Sequence, residues 1–284
     1  MKALITGASS GIGRDIARVL NKKGYDLVLV ARDEVKLNEL KEELSKNLPT
    51  VPGLVGKIEV ITMDLSIENN CKDLHSKVKD VDLLINNAGF GDCGNFTKTN
   101  LEKEIKMINT TIPAYHILAK LYLQDMVKRD KGQILNVASI AGFMPGPLMA
   151  TYYATKSYVV RLSEAIREEL KKQKSNVKIS ILCPGPVNTN FNKVADVVFS
   201  VKGQSSEYVA RYTVKKLEKG KFYIIPGFSI KCVKLLSKLS PTGIVSKFCY
   251  KMQKRKIQWF WGRRKKSWQF LPTKPGTSGK IVRK

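Results

Sequence analysis

Lys2 to Lys23 reads KALITGASSGIGRDIARVLNKK. The apolar opening Ala3-Leu4-Ile5 predicts a short buried strand, and the apolar residues after Gly13 recur with helical spacing. Between them lies Thr6-Gly7-Ala8-Ser9-Ser10-Gly11-Ile12-Gly13. A strand, a glycine-rich turn and a helix start in that order build an anion site. Glycines let the backbone approach a phosphate, and the helix N-terminus offers free amides and the positive end of its dipole.

The alternation continues along the chain. Asp26 to Ala31 (DLVLVA) predicts a second strand, and Asp33 to Asn47 a helix with leucines 37, 40 and 44 on one face. Pro49, Pro52, Gly53 and Gly56 mark a loop. A third strand, Ile58 to Met63, leads to Asp64-Leu65; a helix over Glu68 to Lys79 and a fourth strand, Val81 to Ile85, lead to Asn86-Asn87-Ala88-Gly89. Thr99 to Arg129 predicts one long helix, bent at Pro113, with Asn109 inside it. A fifth strand (Gly132 to Ala138), a sixth (Val177 to Leu182), a helix (Ser206 to Glu218) and a seventh strand (Lys221 to Ile225) complete the series, while Asn190 to Gln204 lacks firm periodicity. Strands alternating with helices of this length imply right-handed crossovers and a doubly wound, seven-stranded parallel sheet with helices on both faces over residues 1–227. Ligands in such sheets sit beyond the strand carboxyl ends, where every motif above falls.

Ser139 to Lys156, SIAGFMPGPLMATYYATK, starts at the end of strand five. Residues four apart share a helix face, so Tyr152 and Lys156 project together while Tyr153 points elsewhere. An ammonium about 4 Å from a phenol, at an effective dielectric of about 20, favours the phenolate by roughly 4 kcal/mol, or about three pKa units. That brings Tyr152 towards neutrality, where a general acid-base works best. Ser139 can then hold a carbonyl oxygen while Tyr152 passes it a proton. The spacing alone also fits an exposed helical pair, so position decides its meaning.

Composition narrows the class. The 284 residues carry a formal charge of +26, but no Asp or Glu follows Glu218, and Lys219 to Lys284 holds 18 Lys and Arg. Subtracting these leaves about +8 for the rest. Five scattered cysteines without a C-x-x-C pair argue for reduced thiols in the cytoplasm, against a disulfide framework or a zinc site. There is no signal-peptide pattern and no apolar run long enough to span a membrane.

With these motifs in order, residues 1–227 resemble a Rossmann-type short-chain dehydrogenase/reductase of the shorter, single-domain subgroup. The glycine spacing T-G-x-x-x-G-x-G separates it from the longer, epimerase-like branch, spaced T-G-x-x-G-x-x-G. The resemblance implies hydride transfer between a nicotinamide and a carbonyl or alcohol carbon. It implies a catalytic tetrad of Asn109, Ser139, Tyr152 and Lys156, with Lys156 also on the nicotinamide ribose and Asn109 holding a relay water. Cofactor contacts are expected from Thr6, Gly7, Ser9, Ser10, Gly11, Ile12, Gly13, Asp64, Leu65, Asn87, Ala88, Gly89, Pro184, Gly185, Val187 and Thr189. At the end of strand two, Ala31-Arg32 stands where such folds place an acid for the ribose, so Arg32 favours NADP(H) over NAD(H), with Arg14 as a helper. Many NADPH-using relatives carry a basic residue before the second glycine; here it is Ser10. A homodimer or homotetramer is expected by resemblance only.

The apolar residues Phe143, Met149 and Phe191 are candidate substrate contacts for a hydrophobic carbonyl compound, with Val194, Val197, Val198 and Phe199 from the closing loop; ordinary packing is the competing account. Residues 228–258 predict basic amphipathic helices, with Ile230, Val233, Leu236 and Leu239 as the first apolar stripe. They fit an anionic membrane surface or a lid over the cleft. Residues 259–284 form a basic tail for which nucleic acid is the least favoured partner. A non-catalytic binding protein with the same fold is the rival to the enzyme.

Overall fold

The computed structural model describes residues 1–46, 56–189, 191 and 203–254. β1 (Lys2–Thr6) feeds the glycine turn and α1 (Gly11–Asn21); β2 (Asp26–Ala31), α2 (Glu34–Lys46), β3 (Ile58–Thr62), α3 (Glu68–Lys77) and β4 (Leu83–Asn86) follow. α4 (Leu101–Thr111) and α5 (Pro113–Lys128) replace the single bent helix expected over Thr99–Arg129. Pro113 has no amide to donate to the Asn109 carbonyl one turn back, so the helix breaks at Ile112. Then come β5 (Gln133–Val137), a 3-10 turn (Ile140–Phe143), α6 (Ala150–Lys172), β6 (Lys178–Leu182), β7 (Val187–Asn188), β8 (Gln204–Ser205), α7 (Ser206–Glu218) and β9 (Tyr223–Ile224).

Seven strands pair in parallel in the order β3-β2-β1-β4-β5-β6-β9, a Rossmann-type sheet, and β7 pairs with β8 apart from it. The order reverses between β1 and β4, which opens a crevice beyond their carboxyl ends. Side chains alternate across β1: Leu4 packs with Leu74, Tyr115 and Val159 beneath α3, α5 and α6, whereas Ala3 and Ile5 pack with Ile16, Leu37 and Val209 beneath α1, α2 and α7. Each buried aliphatic side chain contributes about 1.5–3 kcal/mol.

A buried polar chain locks α6 to the sheet. Asn86 Nδ2 donates to Asn136 Oδ1 at 3.0 Å, Asn136 Nδ2 to Ser163 Oγ at 2.9 Å, and Ser163 Oγ to the Val159 carbonyl at 2.7 Å. Both histidines have partners that their helical positions did not announce: His75 Nε2 meets Asp125 at 2.7 Å, and His116 Nδ1 meets Tyr158 Oη at 2.7 Å.

The segment after Gly227 folds back over the domain as α8 (Phe228–Leu239) and a helix over 242–254, here α9. Ile230 seats on Gly185, where an added Cβ would lie 2.4 Å from Ile230 Cδ1. Lys234 Nζ stands 3.1 Å from the Tyr223 ring centroid and 4.8 Å from that of Phe143, a cation-π clamp on α8. The expected apolar stripe is divided: Ile230 turns inward, while Leu236 and Leu239 face solvent, because α8 is apolar on two sides. Val194, Val197, Val198, Phe199 and the tail 259–284 lie outside the described residues. No described helix is long and apolar enough to cross a membrane.

Candidate active site

The strand ends converge on one cleft of about 750 Å³. Gly7 (φ +65°) and Gly11 (φ +57°) take backbone conformations that side chains disfavour. A Cβ on Gly7 would stand 2.9 Å from Ala88 Cα, and one on Gly13 2.4 Å from Asn87 Nδ2, so the turn and the β4 end touch directly. Asn87 Nδ2 donates to the Thr6 and Gly7 carbonyls at 2.9 and 3.1 Å. Thr6 Oγ1 accepts from the Asn87 and Ala88 amides at 2.9 and 3.0 Å. Thr6 and Gly13 therefore do not line the cleft as expected; they brace the segment that does. Gly7, Ser9, Ser10, Gly11 and Ile12 line it, as do Asn87, Ala88 and Gly89. α1 has no side-chain cap and no acid in its first turn, which leaves its amides and dipole for an anion.

At one end, Arg32, Asp33 and Lys36 border the cleft beside Asp64 and Leu65, with the Lys36 ammonium paired to the Asp33 carboxylate. Burial alone would raise the Asp64 carboxyl, but hydrogen bonds from the Ser66 amide (3.0 Å) and hydroxyl (2.7 Å), with Lys106 at 3.0 Å, hold it below its ordinary value. Arg32 Nη1 lies 3.9 Å from Asp64 and stays half-exposed. Lys36, one helical turn beyond Arg32, was not singled out by sequence. Arg14 does not line the cleft and pairs with Asp15 at 3.3 Å.

At the other end, β5 delivers the buried Ser139, and α6 delivers the partly buried Tyr152 and the buried Lys156 around the same space. Ser139 Oγ accepts from the Ala141 amide at 3.2 Å, and its hydroxyl is close enough to the Tyr152 phenol to favour the phenolate. Lys156 Nζ donates to the Val137 carbonyl at 2.9 Å and stands 5.9 Å from the Tyr152 ring centroid. The electrostatics differ from the sequence expectation. Burial pushes Tyr152 up to about 12, opposed by the Ser139 hydroxyl, and pushes the Lys156 ammonium down to about 8. Low dielectric costs both charged forms more than the lysine returns to the phenol in this geometry.

Asn109 is not among the residues lining the cleft. Of α4, Thr110 lines the cleft, its hydroxyl donating to the Lys106 carbonyl, while Thr111, about 200° round the helix from Asn109, lies behind Gly89 from Lys156. Thr111 is fully buried, and its hydroxyl has no hydrogen-bond partner among the described residues. A Cβ on Gly89 would lie 3.5 Å from Thr111 Oγ1 and 3.6 Å from Lys156 Nζ, so hydroxyl and ammonium are within about 7 Å across Gly89. In the sequence, Asn109-Thr110-Thr111 are three adjacent polar residues, and only helix phase separates them.

Met149 and Phe191 line the cleft, Phe191 with its ring 5.3 Å from that of Tyr152. Phe143 does not; it packs against Tyr223 and Lys234 beneath α8. Tyr153 borders the same cleft rather than pointing away, and Ile230, Val233, Phe248 and Met252 of α8 and α9 complete the apolar end. Pro184, Gly185, Val187 and Thr189 line the wall between the two ends. No cluster of metal-binding side chains occurs among the described residues.

Residues 1–196 match the short chain dehydrogenase family. The chain belongs to that family. An oxidoreductase of Staphylococcus epidermidis, itself uncharacterised, is 32% identical over 198 residues, 68% of this chain and 81% of that one. A very-long-chain 3-oxoacyl-CoA reductase of Mycosarcoma maydis is 34% identical over 68% of this chain, which spans 55% of the reductase. Among solved structures, a short-chain dehydrogenase from Sphingobium yanoikuyae in complex with NADPH superposes with a TM-score of 0.74 at 23% identity, over 97% of this chain and 98% of that one. One from Burkholderia phymatum in complex with NAD gives 0.73 at 25% identity, over 83% and 92%. Within this short-chain dehydrogenase, the glycine turn and the Ser139-Tyr152-Lys156 group occupy opposite ends of a single cleft.

Proposed function

We propose that this short-chain dehydrogenase is an NADP(H)-dependent oxidoreductase acting on the carbonyl or secondary alcohol of a lipophilic compound. The observation that carries the reading is the convergence of Ser139, Tyr152 and Lys156 in the cleft that the glycine turn opens. The residues present suit a dinucleotide: the α1 amides would hold its diphosphate, Asp64 and Leu65 its adenine end, and Lys156 and Thr189 its nicotinamide end. Bound there, the nicotinamide supplies or accepts hydride.

The chain's own groups handle the proton. Ser139, which lines the cleft with Tyr152, orients the substrate oxygen against the phenol. With a pKa near 12, Tyr152 is protonated at neutral pH and acts first as acid, towards a carbonyl oxygen gaining charge. The buried Lys156 ammonium stabilises the resulting phenolate, and a water between it and Thr111 would restore the proton. Thr111 thus takes the relay role expected of Asn109.

Arg32, half-exposed and 3.9 Å from Asp64, is a cation able to turn to a 2′-phosphate, with Lys36 beside it paired to Asp33, which supports NADP(H). Met149, Phe191, Ile230 and Met252 support an apolar substrate, and the 3-oxoacyl-CoA reductases among the relatives make a 3-oxoacyl chain the first candidate. Incubation with NADPH and a panel of hydrophobic ketones, 3-oxoacyl thioesters included, tests the reading. Turnover lost by about 10²- to 10⁴-fold in Tyr152→Phe is expected; no NADPH oxidation across the panel, or an unaffected Tyr152→Phe, would refute it.

A further inference from the structure

α8 and α9 show the cleft only their inner faces. On the outer face of α8, Phe228, Leu235, Leu236 and Leu239 are 81, 59, 61 and 73% exposed, and no side chain of this helix is fully buried. α9 carries further exposed apolar side chains, Ile244 at 63% and Phe248 at 62%. Phe228, Leu235 and Leu239 recur at i, i+7 and i+11, one stripe along the helix axis. Exposed Lys231, Lys238, Lys247 and Lys251 border it, and no carboxylate occurs anywhere after Glu218. An exposed apolar stripe of this kind marks a surface that meets something.

We infer that the outer face of α8 and α9 docks on an anionic lipid bilayer. Such a bilayer offers both an apolar layer for a stripe of phenylalanine and leucines and a negative surface for the lysines around it. A second copy of this chain would oppose lysine to lysine, without a carboxylate on either helix. A nucleic acid would meet the lysines but leave the apolar centre against water. The docked orientation also brings the cleft to the lipid, because Val233 and Phe248 both line the cleft and reach the outside, 39 and 62% exposed. Docking stands without the catalytic reading; entry of an apolar substrate from the bilayer rests on it.

The test is co-sedimentation of the full chain with vesicles of phosphatidylcholine, alone or with phosphatidylserine added. Binding should require phosphatidylserine, fall with added salt, and drop at least about tenfold in Leu235→Glu/Leu239→Glu, two residues outside the site. Leu235→Ser/Leu239→Ser repeats the test without new charge, and an unchanged melting temperature shows that either variant is folded. Turnover of a small water-soluble ketone without vesicles should be the same in wild type and variants, so loss of docking and loss of the catalytic reading are told apart. Vesicle binding that survives both variants would overturn the inference, as would self-association or DNA retention that the variants abolish without any binding to vesicles.

Discussion

Gln253 Nε2 donates to Tyr153 Oη at 2.7 Å, which fastens α9 to the residue next to Tyr152. Gln253 is 1% exposed, so this bond lies in the interior between lid and domain. Gln253→Ala should loosen the lid over the apolar end of the cleft. We expect KM for a lipophilic ketone to rise several-fold with kcat nearly unchanged, and stability to fall by about 1 kcal/mol. Steady-state kinetics with a thermal melt check this; a drop in kcat at constant KM would contradict it.

Thr111 places an unpaired buried hydroxyl across Gly89 from Lys156. Thr111→Val preserves shape and removes only the hydroxyl, so kcat should fall roughly tenfold and its pH profile should shift. Thr111→Ser should restore most of the rate, and Asn109→Ala should stay within about twofold of wild type. Equal sensitivity at 109 and 111 would argue against the relay assignment.

Lys156 is a buried cation whose pKa burial lowers from 10.5 to about 8. Below about pH 8 both folded and unfolded chains hold the proton, and the folded state bears the full cost of burying the charge. Between about 8 and 10.5 the unfolded chain binds more protons than the folded one, so this cost fades as pH rises. Lys156→Met should therefore stabilise the fold by about 1–3 kcal/mol at pH 7, and by less near pH 10, while abolishing turnover. Urea denaturation at the two pH values gives the comparison; a variant less stable than wild type at pH 7 would refute the sign.

Arg32 stands half-exposed at the cleft rim with Lys36 nearby. Arg32→Ala should weaken NADPH binding by roughly 10- to 100-fold, the worth of a charge-assisted hydrogen bond, and leave NADH binding within about threefold. Titration of each dinucleotide by fluorescence separates the two. Equal losses would remove the basis for preferring NADP(H).

Ser163 ends the polar chain that joins β4 and β5 to α6. Ser163→Ala leaves a buried Asn136 amide without its acceptor, which should cost about 1–3 kcal/mol. Chemical denaturation measures it, and a neutral substitution would show that the network does not hold α6 in place.

The sheet was legible in the sequence because each strand is a short apolar run between turn residues, and parallel pairing follows from crossover length, whereas the strand order came from the structure. Gly7, Gly11, Ser139, Tyr152 and Lys156 were legible for a related reason: local spacing puts them at strand ends or on one helix face. Thr111 was not, since choosing among Asn109, Thr110 and Thr111 needs the phase of α4, and that phase is set by packing on α6 and by the break at Pro113. Phe143 misled because an apolar residue between two site residues can as well hold a neighbouring helix.

The sequence by itself determined the succession of strands and helices along the chain, the glycine turn, the Tyr152-Lys156 pair and the concentration of cations after Glu218, all of which depend on neighbours a few residues apart. Tertiary structure decided which way side chains meet across the chain. It placed Gln253 on Tyr153, set Thr111 rather than Asn109 behind Gly89 from Lys156, and split α8 into a face over the cleft and an apolar face towards solvent. It also reversed the expected electrostatics of the Tyr152-Lys156 pair, because burial depth, which sets the penalty on charge, is a property of the packed fold and not of spacing.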